Sequence, residues 1–379
     1  NQITEIFNSA FMIAKEQNNL QMMGVAKRWI GNTYSMMQDF DQALSYWYEA
    51  LEISREANDK LCQVRCLGNI ISKRVNSLDY NDFEEAEKLL NEKLKINQSL
   101  DNSSEIIRTY LSFSDLYNNK ADIEKAKIAF KYWDTAIKYA EIGLEKSHKY
   151  KETKEEIQAY YYLSLLHSNI ENLPKARELN DKLIKVCLEN KSEFWTTHAF
   201  KQQARFDYKE GNFNKYIVNA QEGLKHLKLE NEIIGQIFTL QEIAKCYYYL
   251  KKYDKATDYM NQSLKMAKER GLKNYWYDFD VFILSSIISK KSGITINNKE
   301  VLIAVNKYMD VSNYIDLRRL EIEMLFNLYV LLGDKEYIQT AYNMIMEKAA
   351  LLSEDLKDDF LNRYFPKIIL EEYREVSKK

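Results

Sequence analysis

The amino-acid sequence predicts an all-α protein, a right-handed superhelical solenoid built from antiparallel helix pairs. Residues that pack between helices recur at one constant interval, at Ala136, Ala176, Tyr216 and Ala256. A period of about 40 residues is typical of helix pairs stacked into a solenoid. The composition agrees, because ten Gly and two Pro among 379 residues leave little material for turn-rich β structure.

The first part of the chain, residues 1–270, divides into about six helix pairs. Turns within the pairs are short and polar, as at Gln38-Asp39 and Lys251-Lys252. Because so short a loop cannot carry the chain across the structure, the two helices of a pair must be antiparallel. Small residues in mid-helix, such as Gly31 and Gly68, let neighbouring helix axes approach closely.

The third pair holds an insertion near residues 100–135. The interval from Ala86 to Ala136 is longer than the constant interval that follows it. Either Ala126 with Phe130 or Ala136 with Ala140 is the packing position of this pair. The later period favours Ala136 and Ala140.

The last part of the chain, residues 271–379, carries a degenerate form of the pattern. We expect a loop at 292–299, a final helix pair at 320–332 and 335–352, and one terminal helix at 355–376. Charged outer positions on that last helix are those of the cap that the end of a solenoid requires.

Composition excludes several classes of partner. Lys and Arg number 54 against 56 Asp and Glu, a formal charge of −2, which argues against nucleic acid and anionic membranes as partners. The longest apolar stretch, 281–288, is too short to cross a bilayer. Four cysteines in a long chain are typical of reduced core residues, so we expect a cytoplasmic protein.

Motifs that carry chemistry are absent from the sequence. It contains no glycine-rich phosphate loop, and its four His are isolated from one another. Cys62 and Cys66 lie one helical turn apart, but two ligands do not close a zinc site, and buried packing is the simpler interpretation. We therefore expect no enzyme activity, no metal and no cofactor.

The spacing of bulky, small and aromatic residues resembles the tetratricopeptide repeat family over roughly residues 20–270. Ile30-Gly31 precedes Tyr34, and Ile243-Ala244 precedes Tyr247, as the family's first helix requires. An aromatic residue and then Ala, such as Phe40 before Ala43, open the second helix. The repeats are longer than the family's unit of about 34 residues, which implies extended helices.

The resemblance implies a concave groove lined by first-helix side chains at fixed offsets. Those offsets give these candidate peptide-binding residues: Arg28, Asn32, Arg65, Asn69, Lys73, Lys201, Arg205, Tyr208, Gln241 and Lys245. Asn both donates and accepts hydrogen bonds, and Arg presents a fork to carboxylates, so the predicted partner is a protein or peptide with an acidic segment or a free C-terminus. The alternative is an ordinary solvated helix face, which has the same residue types.

Two functions remain open. The first is a non-catalytic scaffold that binds a protein or peptide, as a regulatory part of a larger bacterial signalling protein. The tail around Pro366 resembles the tails of repeat regions in such proteins, and the start at Asn1 in place of Met agrees with this expectation. The second is a peptide-sensing regulator resembling bacterial quorum-sensing receptors, although residues 1–20 are too few for a DNA-binding helix-turn-helix. Aromatic-rich outer faces also leave a homodimer open.

Overall fold

A computed structural model describes residues 2–76, 82–122, 124, 126–229, 231–271, 278–291, 296–311 and 321–378. Every regular element within these ranges is an α-helix, as the sequence predicts. The helices are α1 Gln2–Glu16, α2 Leu20–Met36, α3 Phe40–Glu56, α4 Lys60–Asn76, α5 Phe83–Ser99, α6 Ser103–Asp122, α7 Ala126–Tyr150, α8 Thr153–Asn169, α9 Leu173–Glu189, α10 Glu193–Lys209, α11 Phe213–Leu229, α12 Ile233–Tyr249, α13 Tyr253–Glu269, α14 Asp278–Lys291, α15 Asn298–Val311, α16 Ile322–Leu332, α17 Lys335–Ala349, α18 Glu354–Asn362 and α19 Tyr364–Ser377.

The period of the sequence arises from a half-repeat, which is one helix and the turn that follows it. From α8 to α13 every helix is 17 residues long, and short turns of equal length separate these helices. The middle residue of the turn has a positive φ, for example 62° at Glu171, 82° at Gly211 and 58° at Lys251. The next amide then bonds back into the finished helix, as Asn212 N does to Asp207 O at 2.8 Å. This left-handed C-terminal turn reverses the chain at a fixed length.

The chain forms two compact units, Asn1–Ile170 and Glu171–Lys379. The domain boundary predicted after residue 270 marks where the repeat signature fades, and it stays a prediction. Helices on either side of residue 270 pack together within the second unit, since α12 and α13 both contact α14. The two units are described separately below as unit 1 and unit 2.

The core of unit 1 lies between the helices of successive pairs. Trp47 and Leu51 of α3 pack with Leu67 of α4 and Leu90 of α5 in one buried cluster. Gly31 permits this packing in the first pair, because a Cβ there would lie 2.5 Å from Cδ1 of Trp47. The apolar positions that the sequence pattern assigns to the interior are therefore buried.

The insertion in the third pair takes the form of two long helices, α6 with 20 residues and α7 with 25. Ala136 and Ala140 of α7 are completely buried. Ala126 and Phe130 are only partly buried. This burial agrees with the assignment of Ala136 and Ala140 as the packing positions of the pair.

In unit 2 the repeat helices and the C-terminal helices share one core. Ile243 and Ala244 of α12 belong to the same buried cluster as Leu328 of α16, Ile338 of α17 and Phe365 of α19. Helix α16 packs on α14 and α17, and α17 packs on α19. The C-terminal segment is therefore an integral part of the interior of unit 2.

The C-terminal expectations need two corrections. The single terminal helix predicted at 355–376 is two helices, because Arg363 adopts an extended backbone with φ −68° and ψ 163° and so ends α18 and caps α19. The loop predicted at 292–299 is also too long, since α15 begins at Asn298; residues 292–295 lie outside the described residues. The predicted final pair matches α16 and α17, with residue 320 outside the described part.

Candidate functional site

The predicted site residues of unit 2 lie on one face of each first helix. Lys201, Arg205 and Tyr208 follow one another at i, i+4 and i+7 on α10, so all three point the same way. Gln241 and Lys245 occupy the equivalent positions on α12, the first helix of the next pair. We call these two surfaces together the α10–α12 face.

On α10, this face is open at its beginning and middle. Lys201 and Arg205 are exposed, and neither forms an ion pair with a residue that the structure describes. One and two turns earlier, Phe194 is 63% exposed and its ring lies 4.3 Å from that of His198, centroid to centroid. The two cationic side chains therefore lie on the same helix face as an exposed aromatic ring, about two and three turns beyond it.

On α12, the face has the same order along the helix, with exposed apolar side chains near the start and polar or charged side chains after them. Ile234 and Phe238 are 47% and 36% exposed at the equivalents of Phe194 and His198. Gln241 is buried and presents little of its side chain to solvent. Lys245 is mostly buried and pairs with Glu242 at 3.2 Å.

A buried acid closes the end of the α10–α12 face. Glu323 of α16 accepts hydrogen bonds from the hydroxyls of Tyr208 (2.6 Å) and Tyr249 (2.7 Å). Lys245 lies 3.9 Å from the same carboxylate. Burial raises the pKa of Glu323, and Lys245 and the two tyrosines oppose that rise. Two of the predicted peptide-binding residues, Tyr208 and Lys245, are thus already engaged by the C-terminal segment.

Aromatic packing reinforces this closure. The ring of Phe365 in α19 lies 5.8 Å from that of Tyr208 and 5.0 Å from that of Tyr249. Tyr364 packs edge-on against Phe213 at 4.7 Å. Such edge-to-face pairs add stabilisation beyond the area that they bury. Helices α10, α11, α12 and α19 therefore meet in one aromatic cluster.

A second buried acid, Glu171, binds α17 and α19 to the start of unit 2. Its carboxylate accepts from Lys348 Nζ at 2.7 Å and from Arg363 Nη1 at 2.6 Å, and Arg363 Nη2 donates to its backbone carbonyl at 2.7 Å. Lys209 lies 3.7 Å away. Burial opposes the charge on Glu171, but these cations outweigh it and lower the pKa to about 2.

In unit 1 the predicted residues mostly bond to one another. Asn32 accepts from Trp47 Nε1 at 2.9 Å and from Asn69 Nδ2 at 2.8 Å. The ammonium of Lys73 lies over the ring of Phe40. These three positions therefore have structural roles whether or not a partner also contacts them.

The two arginines of that row have different surroundings. Arg28 is only 7% exposed, and its guanidinium lies 4.7 Å from the ring centroid of the adjacent Trp29. Arg65, at the equivalent position one pair later, is exposed. The structure thus leaves Arg65 accessible and Arg28 covered, and a partner-binding role for either stays a prediction.

The sequence analysis did not predict the apolar half of the α10–α12 face, nor that residues of the C-terminal segment contact its end. Phe194, Ile234 and Phe238 had a usable signal, since they extend the same helical spacing by one and two turns towards the helix start. Glu323 and Arg363 had none, because each meets its partner in a distant part of the chain.

The chemistry of the open part of the face is that of recognition. Exposed cations bind carboxylates, and apolar side chains beside them bury apolar groups of the same ligand. Within the described ranges, no three His, Cys, Asp or Glu residues are grouped as metal ligands. No helix in the described part of the chain is both long and apolar enough to cross a membrane.

Comparison with known proteins gives structural likeness only. No protein-family model matches the sequence, and no curated protein matches it. The Rap conjugation gene regulator of the plasmid pLS20, solved with a Phr peptide, has a TM-score of 0.57 at 11% identity and covers 92% of this chain and 96% of its own.

Two further solved structures are similar. The apo quorum sensor NprR from B. thuringiensis has a TM-score of 0.55 at 10% identity, covering 91% of this chain and 98% of its own. A Rap protein complexed with competence and sporulation factor has a TM-score of 0.52 at 14% identity, covering 94% and 98%. At these identities the likeness concerns the fold, and the fold of this chain is that of helical-repeat solenoid proteins.

Proposed function

We propose that this protein is a non-catalytic regulator that binds a short peptide on the α10–α12 face. The observation that carries the proposal is the exposure of Lys201 and Arg205 without ion pairs to described residues, on a helix face that begins with the exposed ring of Phe194. Together they suit a ligand with a carboxylate and apolar side chains. Solved structures of similar fold include regulators in complex with peptides, which supports the same class of ligand.

We further propose that peptide binding is communicated to the C-terminal helices. The α10–α12 face runs directly into Tyr208 and Lys245, which Glu323 of α16 holds. A ligand carboxylate that reached Lys245 would compete with Glu323 for the same cation. A peptide sensor of this kind acts by changing how α16 and α19 pack on the repeat helices.

The first experiment measures retention of peptides. The protein is mixed with a synthetic random-sequence hexapeptide pool, separated by ultrafiltration, and the retained peptides are identified by mass spectrometry. We expect enrichment of peptides that combine Asp, Glu or a free C-terminal carboxylate with aromatic or aliphatic residues. Lys201→Ala with Arg205→Ala should abolish that enrichment.

The matched control removes two other lysines, Lys225→Ala and Lys265→Ala, which are exposed on second helices of the same unit. It loses the same net charge, so a general electrostatic effect would lower retention in both double variants. Retention that survives in the Lys201 and Arg205 variant would exclude this face as the docking site. An unenriched pool with the native protein would exclude peptide binding altogether.

A further inference from the structure

Unit 1 contains a second candidate site, a partly enclosed polar cavity of about 140 Å³. Its walls come from three helices, and besides the apolar Ile71 and Val75 of α4 they include these residues: Gly68, Ser72 and Asn76 of α4, Lys93 of α5, and Ser112 and Asp115 of α6. None of these six residues belongs to the α10–α12 face. The cavity is therefore independent of the peptide site proposed above.

A buried cation points into this cavity. Lys93 is only 8% exposed, although it belongs to a second helix and carries a long charged side chain. Its Nζ reaches over Gly68, 3.8 Å from where a Cβ on that glycine would lie. Its ion-pair partner, Glu105, is 3.5 Å away, longer than a good charged hydrogen bond. Burial lowers the pKa of Lys93, and Glu105 only partly opposes this.

An acid lies in the wall formed by α6. Asp115 is half-buried and accepts from Asn119 Nδ2 at 3.3 Å. Burial raises the pKa of its carboxyl, and hydrogen bonds from Asn76 and Asn119 oppose that rise. No ion pair joins Asp115 to Lys93 or to another described cation. The cavity thus presents one positive and one negative group that do not neutralise each other.

The volume limits what such a pair of charges can bind. At about 30 Å³ for each water molecule, the cavity holds roughly four or five waters or one molecule of similar size. A simple anion would meet the carboxylate of Asp115, and a simple cation would meet the ammonium of Lys93. A small molecule that carries both charges can pair with Lys93 and with Asp115 at once, which reduces the cost of burying these two charged groups.

We propose that this cavity binds a small zwitterion, an α-amino acid with a side chain no larger than that of serine. Lys93 Nζ donates to the ligand carboxylate, and Asp115 accepts from the ligand ammonium. Ser112 donates its hydroxyl to the carbonyl of Arg108 at 2.9 Å, so its oxygen can accept a second bond from the ammonium. Gly68 is needed because a larger side chain there would occupy the space beside Lys93.

The test is isothermal titration calorimetry of the full chain with glycine, alanine and serine, each compared with acetate and with glycinamide. Acetate lacks the ammonium and glycinamide lacks the carboxylate. We expect glycine to bind at least tenfold more tightly than either analogue. Tryptophan, which exceeds the cavity, should give no heat. Absence of binding by glycine, alanine and serine would mean a water-filled cavity and overturn the proposal.

Two variants test the two charges, and a third fills the cavity. In Lys93→Met, glycine should lose its advantage over glycinamide, and in Asp115→Asn it should lose its advantage over acetate. Gly68→Val keeps both charges but fills the cavity, and it should abolish binding even if one of the charge variants folds poorly. The control Lys95→Met removes another lysine of the same helix, outside the cavity wall, and should bind glycine like the native protein. Equal glycine affinity in all four variants would refute the assignment.

Discussion

The first helices of unit 1 and unit 2 carry similar polar residues, but these residues have different partners. In unit 1, Asn32 bonds to Asn69 of the next pair and to Trp47 of its own pair. In unit 2, Tyr208 and Lys245 meet Glu323 of α16, a residue far along the chain. The difference teaches that a repeat pattern specifies which face a residue occupies, while a non-repeating segment decides whether that face is open or covered.

The largest expected loss of stability comes from Glu171→Gln. Lys348 and the buried Arg363 lose the charge of Glu171, while Arg363 keeps its ion pair with Asp359. Breaking a buried ion pair in this way costs about 3–5 kcal/mol. The loss should be confined to unit 2. Hydrogen exchange followed by mass spectrometry should show faster exchange in α17 and α19, with α2–α5 unchanged.

The matched control is Glu178→Gln, which removes an exposed glutamate that pairs with Lys175 and Lys182 on the surface of α9. Exchange in unit 2 should stay at the native rate in this variant. If Glu171→Gln also exchanged like the native protein, the buried cluster would not stabilise the C-terminal helices.

The second effect is the dependence of the stability of unit 2 on pH that Glu171 contributes. The folded protein lowers the pKa of Glu171 from 4.5 to about 2, so the cluster stabilises unit 2 fully above pH 4.5 and less as the pH falls towards 2. At about 1.4 kcal/mol per pKa unit, this contribution is about 3 kcal/mol. Exchange of α19, compared between pH 5 and pH 3 and corrected for intrinsic rates, should reveal the loss. Glu171→Gln should remove that part of the dependence.

The third prediction compares two variants, each of which removes a side chain that accepts two hydrogen bonds, one in each unit. Glu323→Leu leaves the buried hydroxyls of Tyr208 and Tyr249 without their acceptor, at about 1–3 kcal/mol each. Asn32→Leu does the same to Trp47 and Asn69, whose bonds to it join uncharged groups, so we expect a cost nearer about 1 kcal/mol. Urea unfolding measures both. A larger loss for Asn32→Leu would reverse the comparison.

The fourth prediction is that Gly→Ala has opposite effects on stability at two glycines of unit 1. Gly31→Ala places a Cβ 2.5 Å from Trp47 Cδ1, and overpacking of this kind costs about 1–3 kcal/mol. Gly68→Ala meets only Lys93 Nζ, at 3.8 Å, so the better helix propensity of Ala should stabilise by up to about 1 kcal/mol. Thermal unfolding should move in opposite directions; a shift of the same sign in both would contradict the cavity beside Gly68.

The sequence predicts the interactions between residues that are close together in the chain, and it does not predict those between distant segments. Helix pairs, their turns and the burial of Ala136 and Ala140 depend on neighbours within one repeat, so periodicity reveals them. The exposed cations Lys201 and Arg205 follow from the same spacing. The burial of Arg28 does not, since the residue at the equivalent position one pair later is exposed. The bonds that close the α10–α12 face link segments of unrelated sequence, and no local pattern marks such partners.

The turns of the two units contain residues with the same strained backbone conformation. Gln38 in unit 1 and Lys251 in unit 2 adopt φ values of 62° and 58°, which cost a non-glycine residue about 1–2 kcal/mol. Gln38→Gly and Lys251→Gly relieve this strain but gain freedom in the unfolded chain, so each should stabilise its unit by about 0.5–1 kcal/mol. Glu171 has the same conformation, yet Glu171→Gly should destabilise unit 2, because its side chain holds Lys348 and Arg363. Hydrogen exchange measures the stability of each unit in the three variants. Equal gains in stability at Gln38 and Lys251 with a loss at Glu171 would assign the difference between the units to the C-terminal helices.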